Sequence, residues 1–302
     1  MPVAGLHHVT AIASSAQATT DFWVRVLGLS LVKRTVNFDD PSAHHLYFGD
    51  ASGSPGTLVT FFAGSRLRRD GKPGAGQATS IAMRVPKETL ERWKQRLQRL
   101  GVPCAISPGR FGDRALALDD PDGIRIELVE GDEYAAEIWP TGLHAVTLTV
   151  TQSERTLALM RGLGFALRRE GAIARASGEG DSATHLDVLE APAAAPGRMA
   201  AGAIHHVAFR AADEDHQLAL RAAVEGEGLR PGELLDRKYF RSFYFREPGG
   251  VIFEVATDAP GFAVDEPAGK LGASLCLPPW LEERRTEIAA ALTPLSVPQR
   301  AK

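Results

Sequence analysis

Two stretches of the chain set histidines side by side inside apolar, strand-like runs: GLHHVTAIA at 5–13 and GAIHHVAFR at 202–210. Imidazole is a common ligand for transition metals. Recurrence of the pair in one frame implies that two copies of a structural unit deliver the same group to one place. Side chains alternate faces along a strand. His8 therefore shares a face with Thr10 and Ile12, and His206 with Ala208. By the same parity His7 and His205 belong to the opposite face, so His7 is expected to point away from the site. Glu254 supplies a carboxylate amid the apolar residues of GVIFEVAT, where a buried charge is costly without a partner. His8, His206 and Glu254 make up the two-imidazole, one-carboxylate set that suits a non-haem Fe(II) and leaves coordination positions open. Mn(II) is the less favoured metal.

The elements that must position these residues form four copies of one unit. The first runs from GLHHVTAIA through the helical TTDFWVRVLG to three strand-like segments, LVKRTVNF, AHHLYFGD and GTLVTFF. After the Gly-rich stretch DGKPGAGQ (70–77), TSIAMRV starts a second unit. Its helix places Leu90, Trp93, Leu97 and Leu100 at amphipathic spacing, and RALALDD and IRIELVE flank the turn DPDG. GLHAVTLTV, RTLALMRGLG and THLDVLE give the third. GAIHHVAFR, EDHQLALRAAVEGEG and RSFYFREPGGVIFEVATD give the fourth. Aligned first strands put His8, Ser80, Ala145 and His206 in equivalent positions. Aligned last strands group Thr60, Glu127, Asp187 and Glu254. Units two and three lack the histidine, so Glu127 and Asp187 are expected to be ordinary strand-end acids. For His44 and His45 a pocket role stands beside ordinary packing, with packing favoured, and His144, His185 and His216 are assigned no function. Residues 191–203 read as a linker, and LPPWLEERRTEIAAALTPL as one amphipathic C-terminal helix.

Composition narrows the partners. A chain of 302 residues with 44% apolar and 24% charged residues reads as a soluble globular protein with an ample core. Its net charge of −3 gives no reason to expect nucleic acid or an anionic membrane as partner. No apolar run approaches the roughly 18 residues of a membrane span, and the start of the chain moves directly into a strand without a signal-like core. Cys104 and Cys276 are too few for a disulfide framework or a cysteine metal site, which favours a reducing, cytoplasmic setting. Assembly into a homo-oligomer is compatible with such a chain.

The segments GLHHVT, LVKRTVNFDD, HLYFGD, the second HHVAF, FYFREPGGVIFEV and the tail LPPWLEERRTEIAAAL resemble the vicinal oxygen chelate superfamily. Within it they are most similar to ring-cleaving dioxygenases that act on hydroquinones and chlorinated hydroquinones. The resemblance implies an α+β fold in which four βαβββ modules form two half-open β-barrels, followed by a C-terminal helix. Residues 1–135 would hold modules one and two, 136–260 modules three and four, and 261–302 the tail. It further implies Fe(II) between modules one and four, a small aromatic substrate and dioxygen, with Thr10, His205, Arg237 and Tyr244 around the metal. Lys238 and Arg241 lie close enough in sequence to take the place of Arg237. Catechol extradiol enzymes instead take a histidine from the third module, where this chain has Ala145. Two rivals share the fold. A glyoxalase-like isomerase or transferase would commonly use a fourth ligand where this chain has Thr60. A small-molecule binding protein of the drug-resistance type would have little use for the three buried ligands.

Overall fold

The computed structural model describes residues 2–64, 69–178 and 185–299. Thr184, the first residue of the expected third-unit segment THLDVLE, and the last three residues of the tail region lie outside them. Module one consists of β1 (Leu6–Ala13), the helix α1 (Ala16–Thr20) continued by a π-helical stretch (Asp21–Val26), β2 (Ser30–Val36), β3 (His44–Gly49) and β4 (Leu58–Ala63). Module two has β5 (Gln77–Val85), α2 (Leu90–Arg99), β6 (Cys104–Ser107), β7 (Ala115–Asp119) and β8 (Arg125–Glu130). Module three has β9 (Gly142–Val150), α3 (Glu154–Gly162), β10 (Ala166–Glu170), β11 (Ile173–Ser177) and β12 (His185–Glu190). Module four has β13 (Ile204–Ala211), α4 (Glu214–Gly226), β14 (Leu235–Asp236), β15 (Phe240–Arg246) and β16 (Ile252–Pro260). The fold is α+β, with few helices. The strands that escape the sequence pattern are β6, β10, β11 and β14. Two of these, β6 and β10, are short and largely exposed, so apolar residues do not alternate along them.

The strands form two eight-stranded sheets, ordered β14-β15-β16-β13-β1-β4-β3-β2 and β10-β11-β12-β9-β5-β8-β7-β6. Each sheet draws on both halves of the chain, since module one joins module four and module two joins module three. At the centre of the first sheet β1 and β13 run antiparallel, with Val9 opposite Val207, His8 opposite Ala208 and Thr10 opposite His206. The second sheet repeats the arrangement through Ile81 opposite Val146, Ser80 opposite Thr147 and Ala82 opposite Ala145. Parallel pairing then sets Thr60 beside Thr10, Glu254 beside Ala208, Glu127 beside Ala82 and Asp187 beside Thr147.

Each central strand carries one bulge. The register slips at His7 in β1 and at His205 in β13, and correspondingly at Thr79 in β5 and His144 in β9. A bulge adds an unpaired residue and re-aims its side chain. Both HH pairs therefore consist of one regularly paired histidine and one bulged neighbour.

One apolar core contains the central residues of both sheets, Val9, Val207, Ile81 and Val146, together with the buried stripe Leu90, Trp93 and Leu97 of α2. The stretch expected to be a linker pairs with the Gly-rich stretch, through bridges of Lys72 with Arg198 and Ala75 with Pro196. The tail closes the outer edge of the first sheet. Leu275 bridges to Arg34 of β2, and the Cys276 N–H donates to the Arg34 carbonyl at 2.9 Å. An unpaired strand edge is open to unwanted pairing, and covering it removes that hazard. The expected C-terminal helix is a 3-10 turn over Pro279–Arg284 followed by α5 (Arg285–Ala291), anchored by the buried Leu281 and Ile288.

Candidate metal centre

Register and parity bring His8 of β1, His206 of β13 and Glu254 of β16 to one point. All three are buried, with relative exposures of 1%, 2% and 0%. His206 Nε2 lies 2.9 Å and His8 Nε2 3.1 Å from Glu254 Oε2, and the two Nε2 atoms are 3.3 Å apart. Three ligand atoms at about 2.1 Å from one ion and at right angles to each other stand about 3.0 Å apart. The observed spacing is compatible with three ligand atoms on one ion.

The carboxylate tests whether a cation fits here. Among the described residues neither Glu254 oxygen has a hydrogen bond of well-aligned geometry, although both imidazoles and the Tyr244 hydroxyl are within reach. Burial alone would raise the Glu254 carboxyl, yet His8 and His206 hold it well below the usual carboxylate range. A buried anion without an aligned donor, facing two Nε2 atoms, matches the needs of a divalent cation. The residues present fit such an ion.

Both bulged histidines support the pair. His7 Nδ1 lies 2.9 Å from His8 Nδ1, and His205 Nδ1 lies 2.8 Å from His206 Nδ1. An imidazole that binds metal through Nε2 keeps its proton on Nδ1 and needs an acceptor there. His7 and His205 can serve as those acceptors only if neutral, and burial, the largest cause, lowers each to about 3. The Thr257 backbone also forms a hydrogen bond with the His7 ring. The expectation that His7 points away is corrected: the bulge breaks strict alternation, and His7 shares Phe240 as a ring neighbour with His8. The same distortion brings His205 to the pocket wall, which parity alone disfavoured.

A cavity of about 490 Å³ opens beside the triad, lined by His205, His206, Arg237 and Tyr244 and by the apolar Ile12, Phe62 and Ile252. It continues inward past His8, His45, Tyr47 and Phe240. Arg237 reaches Asp39 Oδ2 at 3.3 Å and lies 5.4 Å over the Tyr244 ring. Its buried Nε has no hydrogen-bond partner among the described residues. The neighbouring cations point elsewhere: Lys238 Nζ binds Asp265 at 2.6 Å, and Arg241 Nη1 binds Glu214 at 2.8 Å on the surface. Tyr244 pairs across strands with Glu254, and its ring is 5.4 Å from that of His206. Burial and then the Glu254 charge push its phenol well above the ordinary range, so it remains a donor. Thr10 stands beside the triad on β1, opposite His206.

Of the pair weighed between pocket and packing, His45 takes the less favoured place and lines this cavity, while His44 packs, through Nε2 to the Thr293 carbonyl at 2.9 Å. The signal was the alternation within HHLYF, which separates His45 and Tyr47 from His44. A second acidic group, Asp265, Glu266 and Cys276, already surrounds a cation. Lys33 Nζ sits 2.6 Å from each carboxylate and 3.9 Å from the thiol.

The model of the Glyoxalase/Bleomycin resistance protein/Dioxygenase superfamily matches residues 5–128 and 142–255. The chain belongs to this superfamily. It is 37% identical over 308 residues to the chlorohydroquinone/hydroquinone 1,2-dioxygenase of Sphingobium indicum, covering 95% of each protein. It is 39% identical over 305 residues, 97% of each chain, to a Bacillus subtilis protein named for ring-cleaving dioxygenase activity, MhqO. A crystal structure from Bacillus subtilis, titled as a dioxygenase, superposes with a TM-score of 0.94 at 38% identity over 99% of both chains. Glyoxalase I of Zea mays, at 18% identity, shares the fold with a TM-score of 0.63 over 84% of this chain and 92% of its own.

Proposed function

We propose that this protein is an Fe(II)-dependent dioxygenase that opens a hydroquinone-type aromatic ring, with a small aromatic compound and dioxygen as its substrates. The observation that carries the reading is the buried His8, His206 and Glu254 face, bordered by a cavity with both aromatic and cationic walls. The relatives named for ring cleavage support it, as does the three-ligand set. Thr60 stands where a fourth ligand would be expected in a glyoxalase-like enzyme, and the cluster contains no fourth ligand among the described residues.

Bound at this face, Fe(II) would supply the one-electron chemistry that lets triplet dioxygen react with a closed-shell ring. The protein's own residues orient the ring and manage its protons. Phe62, Ile252 and Phe240 offer apolar walls to a flat ring and keep water from it. The Arg237 guanidinium, with its spare Nε donor, attracts an ionised ring hydroxyl and stabilises negative charge that develops there. The Tyr244 hydroxyl, held protonated, donates to the same oxygen-bearing side. His205 accepts from His206 through Nδ1, so its own hydrogen sits on Nε2, where it can be donated to the pocket.

Metal analysis together with oxygen uptake on hydroquinone tests the reading. Oxygen consumption with a ring-opened product is expected. Isomerisation without oxygen would establish the glyoxalase-like rival, and ligand binding without turnover the binding protein. Tyr244→Phe should keep the metal and the fold while slowing turnover about 10²–10³-fold, the scale of one lost preorganised donor. Wild-type turnover in that variant would remove Tyr244 from the chemistry.

A further inference from the structure

An unbroken line of hydrogen bonds runs behind the triad, and the roles above do not use it. Thr10 Oγ1 and Thr60 Oγ1 are 2.8 Å apart. Thr60 Oγ1 lies 3.0 Å from His45 Nε2, and His45 Nδ1 lies 3.0 Å from the Tyr47 hydroxyl. The line crosses three adjacent strands, since Thr10 on β1 faces Thr60 on β4 and Thr60 faces Tyr47 on β3. Thr60 holds in module one the position that Glu254 holds in module four. Where one module supplies a carboxylate, the other supplies a hydroxyl link.

A hydroxyl or a neutral imidazole has one hydrogen to donate and at least one lone pair to accept with, so such a line can run in two directions. His45 is neutral, because burial, then His8 and His206, push its imidazole well below the ordinary value against the opposing pull of Glu254. Tyr47 sets the direction. It is 2% exposed, and His45 Nδ1 is its only hydrogen-bond partner among the described residues. A buried O–H left unpaired costs more than an unused lone pair, so the phenol donates to Nδ1. His45 then carries its hydrogen on Nε2 and donates to Thr60, and Thr60 donates to Thr10. Thr10 thus accepts from Thr60 and keeps its own hydrogen for another partner. That hydroxyl lies on the strand face of His8, directly across from His206.

We propose that Tyr47, His45 and Thr60 are positioning residues that act through this line to orient the Thr10 hydroxyl as a donor toward substrate held at the triad. The substrate clause rests on the ring-cleavage reading; the direction of the line does not. Its direction is read by nitrogen-15 NMR of the full chain loaded with Zn(II), a diamagnetic stand-in. His45 should show a protonated Nε2 and a bare Nδ1, and Tyr47→Phe should shift it toward the other tautomer. A wild-type His45 protonated on Nδ1 overturns the inference. The coupling is read by a double-mutant cycle on metal-normalised oxygen uptake with hydroquinone. Tyr47→Phe and Thr60→Val should each lower kcat about 3–10-fold, the equivalent of one neutral hydrogen bond, with KM and metal content unchanged. The double variant should be no slower than Thr60→Val, and Thr60→Ser should restore turnover to within about twofold. Independent effects that multiply in the double variant mark packing roles and overturn the proposal. Absence of oxygen uptake by the wild type would strike the ring-cleavage reading and the substrate clause, while the tautomer result still decides the direction of the line.

Discussion

The two sheets follow one plan and differ at four equivalent positions. In the first, His8, His206 and Glu254 converge, with Thr60 in the fourth place. In the second, Ser80 and Ala145 stand where the imidazoles were, and Glu127 and Asp187 fill both carboxylate places. There the cations are side chains. Arg110 donates to Glu127 from Nη1 at 3.0 Å and from Nη2 at 3.3 Å. Arg175 forks onto Asp187 at 2.7 and 3.0 Å and reaches Asp113 at 2.8 Å. Among the described residues Glu254 meets no arginine, only the two imidazoles and the Tyr244 hydroxyl. The bulges differ in the same sense: His7 and His205 back His8 and His206, whereas His144 leans on Asp113 at 3.3 Å because Ala145 offers no nitrogen. Their difference shows that a common backbone frame does not make a metal site. The frame presents a buried acid, and whichever cation is supplied decides its role.

Glu254→Gln is the strongest way to break this contrast. It removes the only carboxylate of the triad, so essentially all bound metal and turnover should be lost, as elemental analysis and oxygen uptake would report. Glu127→Gln should leave both unchanged. Metal loss in the second variant would move the centre to the wrong sheet. Arg175→Ala probes the other side. Asp187 is 1% exposed and among the described residues would keep only Arg110, at 3.5 Å, as an ion-pair partner, so urea unfolding should show a loss of about 3–5 kcal/mol. Metal affinity in the first sheet should not change. His7→Ala sharpens the role of the bulges. Loss of the acceptor behind His8 should weaken metal binding about 10–100-fold in chelator competition, while Thr79→Ala has no effect. Equal affinities in wild type and His7→Ala would reduce His7 to packing.

A pH dependence of the metal-free protein is expected as well. His7 and His205 are lowered from 6.5 to about 3 and His185 to about 4, each mainly by burial. Below pH 6.5 the unfolded chain binds protons at these residues that the folded chain refuses. Stability is therefore full above that pH and falls as pH drops toward the folded values, by up to about 1.4 kcal/mol per pH unit for each histidine. Thermal unfolding between pH 7 and 4.5 checks the slope. A variant lacking His7 and His205 should show a shallower fall, and an unchanged slope would locate the acid sensitivity elsewhere.

Much of the frame was legible because it is local. The apolar period of two along each first strand, and the return of βαβββ order, are properties of short segments, and they aligned His8 with His206 and Thr60 with Glu254 before any contact was known. Parity failed at His7 and left His205 in doubt for one reason. A bulge arises from how two distant strands match in register, and no pattern within either strand announces it. Alternation separated His45 from His44, but its partner was not legible, since only the pairing of β3 with β4 brings Thr60 to its ring.

By itself, the sequence determined the module count, the strand parity of the regular positions and the donor types available to a metal, because chirality and side-chain chemistry act within a few residues. Tertiary structure alone decided where the central strands bulge, and that Glu127 and Asp187 meet arginines where Glu254 meets two imidazoles. It also decided that Arg237, not Lys238, faces the cavity. Lys238 takes a left-handed backbone with φ of 66° and anchors to Asp265 of the tail, which turns its neighbour toward Tyr244. These outcomes depend on groups far apart in the chain, and only the folded packing fixes the distances between them.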